Sequence, residues 1–468
     1  MPCGPTGEAD EFGGACQQPC RHGAHPERPP DTRRHVAVVG GGWAGLSAAL
    51  EAADLGARVT LLEMAPRLGG RARSLGDGPE ALDNGQHILI GAYTRSLALM
   101  RRVGVDPSQA LLRTRLRLRY PDHDTLTLPA GPAWLAFSRG VLACSAWSWA
   151  DRLRFLMHSG RWMAAGFRCA PHLSVATLCA GLPAAVRQDL IDPLCVAALN
   201  TPAAQASAQV FLRVLKDALF SGPGSADLLL PRAGLSALLP EPARQTLLSL
   251  GADIRTLRVQ ALSQEPGATD GRGGASQGGG WRLHTPTDSL HADAVVLATS
   301  SVEAARLTQS LAPEWSARTG AFDFQPIITV YLESPGSSLP APMVALRESA
   351  EEPAQFAFDL GALADRPGLF SFVISGAAPW VARGLDDAAA ATLAQAQRVL
   401  TWHTPPRLHR VLSEKRATFA CTPGLQRPPA ALLPGLVAAG DYVAGPYPAT
   451  LEGAVMSGLA AAHSVMRD

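Results

Sequence analysis

The chain has 468 residues, of which 47% are hydrophobic and 17% charged, and its formal net charge is +1. That balance supplies a large packed core and excludes a disordered chain. It sets up no global field for nucleic acid or acidic partners, and no run of about 20 apolar residues offers a transmembrane helix.

Typical domain sizes of roughly 150 residues predict about three domains. Eight cysteines scattered over this length read as reduced thiols of a cytosolic protein rather than a disulfide scaffold. Residues 1–34 are rich in Gly, Pro and Gln and carry no signal-peptide core. Cys16, Cys20, His22 and His25 fall there, and the segment reads as a disordered tail rather than a metal site.

The first element is a buried parallel strand, Val36 to Val39. Gly40-x-Gly42-x-x-Gly45 follows at once, then an Ala/Leu-rich helix over 44–55 closed by Gly56, then a second strand ending at Glu63. Gly40 permits the tight turn, Gly42 lets a pyrophosphate approach the backbone, and Gly45 lets helix and strand pack closely. Gly40, Gly42, Trp43, Ala44 and Gly45 are thus the candidates at the phosphates, where the helix N-terminus offers free N–H groups. Glu63 is placed to accept from ribose hydroxyls.

Next comes "EMAPRLGGRARS", Glu63 to Ser74. This stretch resembles the extended dinucleotide signature of the flavin amine oxidase and phytoene desaturase superfamily. The resemblance implies FAD as the cofactor, with Gly69, Gly70 and Arg71 along it and Arg67 or Arg71 near the pyrophosphate. A guanidinium fork suits phosphate geometry. In "LDNGQHILIGAY", residues 82–93, a polar knot runs into an apolar segment. The resemblance brings it near the flavin ring, with Gly85 allowing close approach and Gln86 available for hydrogen bonding. Asp83 and His87 are candidates for proton transfer; the alternatives are an Asx-type turn and a buried structural histidine.

"RTRLRLRY", Arg113 to Tyr120, alternates strictly and predicts a strand with four arginines on a solvated face. Residues 131–167 carry four tryptophans and three phenylalanines with interspersed arginines. Leu153, Leu156 and Met157 predict one apolar helix face. The region reads either as a helical core or as a lid touching the membrane surface. Asn200 is a further catalytic candidate, or a helix cap. A glycine-rich loop over 266–280 reads as a hairpin tip. The backbone near Val259 is expected at the adenine ring. Near the C-terminus, a strand, Gly440-Asp441 and the helix opened by Thr450 and Leu451 imply a second cofactor segment, with Glu452 as a further contact or a cap of its own helix.

The wording "DNGQHILIGAYTRSLALMRRVGV", "DPLCVAALNTPAAQASAQVFLRVL" and "YPATLEGA" is similar to the squalene-associated branch, the bacterial hydroxysqualene dehydroxylases. The resemblance covers nearly all of 36–466. It implies an α/β fold: a Rossmann-like FAD-binding domain of the GR2, amine oxidase-like type (35–113, 229–308 and 405–468) interleaved with a mixed α+β substrate domain (114–228 and 309–404). It further implies reductive removal of an allylic hydroxyl from hydroxysqualene, giving squalene. Carotenoid desaturation or amine oxidation is the alternative. The expected partners are an apolar triterpene, the inner membrane surface and upstream enzymes of squalene synthesis, with no nucleic acid and no metal. The expected location is the cytoplasm.

Overall fold

The apolar run at the start of the motif forms the strand His35–Val39, buried along its whole length. It lies inside a six-stranded sheet whose order is Asp253–Thr256, Arg58–Glu63, His35–Val39, Ala294–Leu297, Leu436–Ala438, Ala431–Leu433. The first five strands run parallel and the last antiparallel. A parallel sheet covered on both faces needs apolar side chains on both, which is why these strands read as continuous hydrophobic runs. The computed structural model describes residues 32–265 and 279–467. Most of the tail and of the 266–280 loop therefore lies outside the described residues.

The helix Trp43–Asp54 connects the first two strands, and the long terminal helix Leu451–Arg467 packs across it. The approach is close. A Cβ on Gly458 would sit 2.2 Å from the Ala44 carbonyl oxygen. Ser47 Oγ donates to the Val455 carbonyl at 2.9 Å, fixing the crossing.

A second, five-stranded antiparallel sheet has the order Met343–Ala345, Phe356–Asp359, Leu369–Ile374, Phe324–Glu333, Arg407–Phe419. The strand Arg407–Phe419 falls in the segment assigned from sequence to the nucleotide-binding part, beginning at 405. It pairs instead with Phe324–Glu333, so at this point the chain still belongs to the second sheet. Helices Ala133–Ala143, Trp149–Ala164, Asp192–Leu199 and Ala208–Phe220 make up the helical region.

The single strand expected over 113–120 is two. Leu111–Thr114 pairs with Leu228–Pro231, whereas Arg117–Arg119 pairs with Asp124–Thr127. The alternation holds across the break, with Leu116, Leu118 and Tyr120 buried. An ion pair accompanies each pairing, Arg113 with Asp227 at 2.7 Å beside the first and Arg117 with Asp124 across the second. Cys144, Cys169, Cys179, Cys195 and Cys421 are free thiols. No helix among the described residues is long and apolar enough to cross a membrane.

Candidate active site

The glycine turn separates packing from binding. Gly40 has φ +106°, and a Cβ there would lie 2.5 Å from the Ala298 carbonyl oxygen. A Cβ on Gly45 would sit 1.8 Å from the Gly40 carbonyl oxygen, so helix and turn touch only because it is glycine. Gly42 differs: the nearest atom to its missing Cβ is Gly70 Cα at 3.9 Å, and its open side faces a cavity of about 660 Å³. Trp43 and Ala44 line the same space, and Trp43 Nε1 donates to the Ala72 carbonyl at 3.2 Å. Gly69 N–H donates to the Gly41 carbonyl at 2.8 Å, stapling the Gly69-Gly70 corner to the turn. Glu63 lines the cavity beside it and accepts from the N–H groups of Gly41 (2.6 Å) and Ala65 (2.8 Å).

Arg71 and Asp441 meet across the cavity wall at 2.6 Å, and Arg71 also donates to the Ala417 carbonyl at 2.8 Å. Arg67 does not join them. It donates to the Gly76 carbonyl at 2.6 Å and pairs with Asp77, away from the cavity, because the hairpin that follows it, Ser74–Leu75 with Leu82–Asp83, supplies both partners. Val259 lines the cavity, with its carbonyl held by Arg306 at 2.9 Å. Gly440, Thr450 and Leu451 line it as well. Thr450 opens the terminal helix by accepting from Gly453 N–H at 3.0 Å. Glu452 caps a different helix from the one it sits on: its carboxylate accepts from the N–H groups of Arg95 (2.9 Å) and Ser96 (2.8 Å) at the start of Thr94–Arg102.

The polar knot divides at Asp83. Its Oδ1 accepts from Ser74 Oγ (2.7 Å) and Leu235 N–H (2.9 Å), and its carbonyl accepts from Tyr331 Oη (2.9 Å). The short antiparallel pairing of Ser74 with Asp83 turns this carboxylate into the protein body, so the expectation that it faces the reacting centre is corrected. Burial raises its pKa. Asn84, Gly85, Gln86 and His87 do line the cavity. The missing Cβ of Gly85 meets nothing closer than 3.9 Å. Gln86 Oε1 accepts from Ser371 Oγ at 3.3 Å. His87 Nδ1 lies 2.9 Å from the Gly85 carbonyl. A carbonyl only accepts, so Nδ1 carries the proton and Nε2 is the free ring nitrogen. Burial lowers the His87 pKa, with nearby Arg71 adding to the effect.

Asn200 lines the cavity, but its amide is committed. It ends the helix Asp192–Leu199 at φ +47°, donates to the Gln325 carbonyl (3.1 Å) and Thr418 Oγ1 (2.9 Å), and accepts from Gly376 N–H (2.7 Å). It ties the helical region to the second sheet, a positioning task rather than proton transfer.

The cavity residues that escaped the sequence reading include Glu414, Asp217 and Tyr447. Glu414 accepts from Asn84 Nδ2 at 3.0 Å, an approach across 330 residues that no local pattern announces. Asp217 and Tyr447 line the more apolar part, where the Arg213 guanidinium lies 5.4 Å from the centre of the Tyr447 ring. A signal did exist for this pair: Asp217 is a lone acid in the apolar helix "FLRVLKDALF", four residues after Arg213. Around them, Phe137, Phe155, Trp162, Phe211 and Phe220 complete an aromatic wall continuous with the nucleotide-turn side.

The chemistry of the lining fits a flavin dinucleotide. Gly42 and Gly85 leave open faces, and Ser301 Oγ and Tyr442 Oη, both on the lining, are buried without a hydrogen-bond partner. Buried polar atoms are left unbonded at a cost, which a bound polar ligand removes.

Residues 43–466 match the family described as flavin containing amine oxidoreductase. Over 447 residues the chain is 29% identical to hydroxysqualene dehydroxylase of Rhodopseudomonas palustris, covering 92% of this chain and 98% of that protein. Hydroxysqualene dehydroxylase of Zymomonas mobilis is 26% identical over 91% of this chain and 97% of its own length. Among solved structures, cyclohexylamine oxidase from Brevibacterium oxydans superposes with a TM-score of 0.64 at 16% identity, over 93% of this chain and 99% of that one; this likeness concerns the fold. With the family matching from the glycine turn to the end of the terminal helix, the chain belongs to the flavin-containing amine oxidoreductases and is an FAD-dependent oxidoreductase.

Proposed function

We propose that the enzyme removes the allylic hydroxyl of hydroxysqualene reductively, giving squalene. The observation that carries this reading is the continuity of one cavity, polar and glycine-lined at the dinucleotide turn and aromatic in the helical region. Such a space accepts a charged cofactor and a long hydrocarbon together. Near full-length similarity to relatives named for this reaction supports it.

Reduced FAD supplies the hydride, so that alcohol, hydride and proton become hydrocarbon and water. Glu63 would take ribose hydroxyls, Arg71 the pyrophosphate, and the start of the terminal helix the flavin's electron-rich edge. The aromatic wall excludes water from an allylic cation and orients the chain. His87 is our choice for the proton donor. Its Nδ1–H is held by Gly85, so Nε2 is the atom that gives the proton to the departing hydroxyl. With its pKa lowered by burial, the imidazolium is a stronger acid than histidine in water.

The test compares products by mass. Hydroxysqualene supplied with a reductant should exchange its hydroxyl for one hydrogen, losing the mass of one oxygen with its hydrogen count unchanged. A product lacking two hydrogens instead, with the oxygen retained, would place the enzyme with the desaturases.

A further inference from the structure

We propose that the outer face of the helices Ala133–Ala143 and Trp149–Ala164 docks on an anionic lipid bilayer, with the inner face of the same helices forming the cavity wall. The second helix starts at Ser148, whose Oγ accepts from Asp151 N–H at 3.2 Å. Its inward row is Phe155, Ser159 and Trp162, all buried and all on the cavity. Its outward row is Trp149, Leu153 and Met157, at the i, i+4, i+8 spacing of one helix face. These three are 64%, 54% and 57% exposed. The single apolar face expected from Leu153, Leu156 and Met157 divides: Leu156 packs against the core, whereas Leu153 and Met157 point away from it. Trp134, Leu142 and Met163 extend it, so six of the thirteen exposed large hydrophobic residues among those described fall within one pair of helices. Arg152 ties the pair together, donating to the Leu142 carbonyl at 2.8 Å with its guanidinium 4.6 Å from the Trp149 ring centre. Scattered exposed apolar residues need no explanation, but a concentrated set marks an interaction surface.

Charge identifies the occupant. Residues 131–172 hold five arginines and one aspartate, in a chain whose net charge is only +1. Surface arginines elsewhere divide: Arg113 pairs with Asp227, Arg244 with Glu241, Arg255 with Asp253 and Arg306 with Glu303, whereas Arg101, Arg232, Arg318 and Arg407 stand outside any ion pair among the described residues. Among the described residues, no ion pair engages the exposed Arg139, Arg154, Arg161 or Arg168. Exposed tryptophans with a rim of unpaired arginines match a headgroup layer that is apolar below and negative above. A second copy of the chain fits worse, because a twofold contact would set the same unpaired arginines against one another. Docking in this way places the cavity wall against the bilayer, giving an apolar molecule a route that avoids water. The docking stands independently of the reaction proposed above; only the delivery rests on it.

The test uses the full-length flavin-loaded protein and sedimentation with large unilamellar vesicles. The protein should pellet with vesicles of equal parts phosphatidylcholine and phosphatidylglycerol and much less with phosphatidylcholine alone. Arg154→Gln and Arg161→Gln should each lower the partition coefficient roughly fivefold, and raised salt should release the wild type. Trp149→Ser with Leu153→Ser should weaken binding while leaving flavin absorbance and thermal unfolding unchanged, since these side chains are exposed. Absence of vesicle binding by the wild type would overturn the proposal. So would binding indifferent to these substitutions, or a lipid-free dimer that Trp149→Ser dissociates.

Discussion

Arg71 and Asp441, 370 residues apart in the chain, are joined by a 2.6 Å charged hydrogen bond in the cavity wall. The bond fixes the segment after the glycine turn to the segment before the terminal helix. Asp441→Ala leaves the Arg71 guanidinium facing the cavity without its acid. We expect a stability loss of about 2 kcal/mol and a protein that releases FAD on gel filtration. Asp441→Asn keeps the shape and should lose less on both counts. Thermal unfolding and the ratio of flavin to protein absorbance measure the two effects.

The glycines of the turn should separate by role. Gly45→Ala puts a methyl 1.8 Å from the Gly40 carbonyl oxygen, inside the protein itself. It should destabilise the fold by about 1–3 kcal/mol or more, with or without cofactor. Gly42→Ala meets only open space in the protein, so the apoprotein should unfold at the wild-type temperature while FAD affinity falls. Equal apoprotein destabilisation by both substitutions would contradict the assignment of Gly42 to the cofactor.

Glu452 predicts a purely structural effect. It is almost fully buried and satisfies two backbone N–H groups and Ser96 Oγ at the start of Thr94–Arg102. Glu452→Ala should cost about 2 kcal/mol or more through lost capping and unsatisfied donors. The flavin spectrum of the folded protein should not change.

The turn was legible in the sequence because strand, glycines, helix and acid are contiguous, and each has a local reason for its residue type. The same holds for Arg71 and Asp441, whose neighbourhoods carry their own patterns. Asp83 was misplaced because nearness to Gly85 and His87 in the chain says nothing of the short strand pairing that turns its carboxylate inward. Arg67 was misplaced because a partner ten residues on, Asp77, competes for it. Glu414 was missed because its role arises only when one sheet brings it to Asn84. Leu153 and Met157 have helical periodicity, but periodicity states which residues share a face, not what covers that face.

His87 gives a prediction with a definite sign. Its pKa in the folded protein is lowered from the ordinary 6.5 by burial. An acid must hold its proton to act, so kcat/KM for dehydroxylation should rise as pH falls, with the limb centred below pH 6.5. His87→Gln should abolish that limb and lower kcat/KM by roughly 100-fold, with FAD occupancy retained. A pH profile unchanged in the variant would remove His87 from the proton-transfer role.

The central claim is that electrons pass from flavin to lipid, and a single anaerobic turnover tests it most directly. The flavin is reduced with dithionite, excess reductant is removed, hydroxysqualene is added, and flavin absorbance and lipid products are followed together. The account predicts that the oxidised flavin spectrum returns as one squalene forms per flavin. Reduced flavin that stays inert, beside oxidised flavin that is bleached by a polyene or an amine, would contradict it.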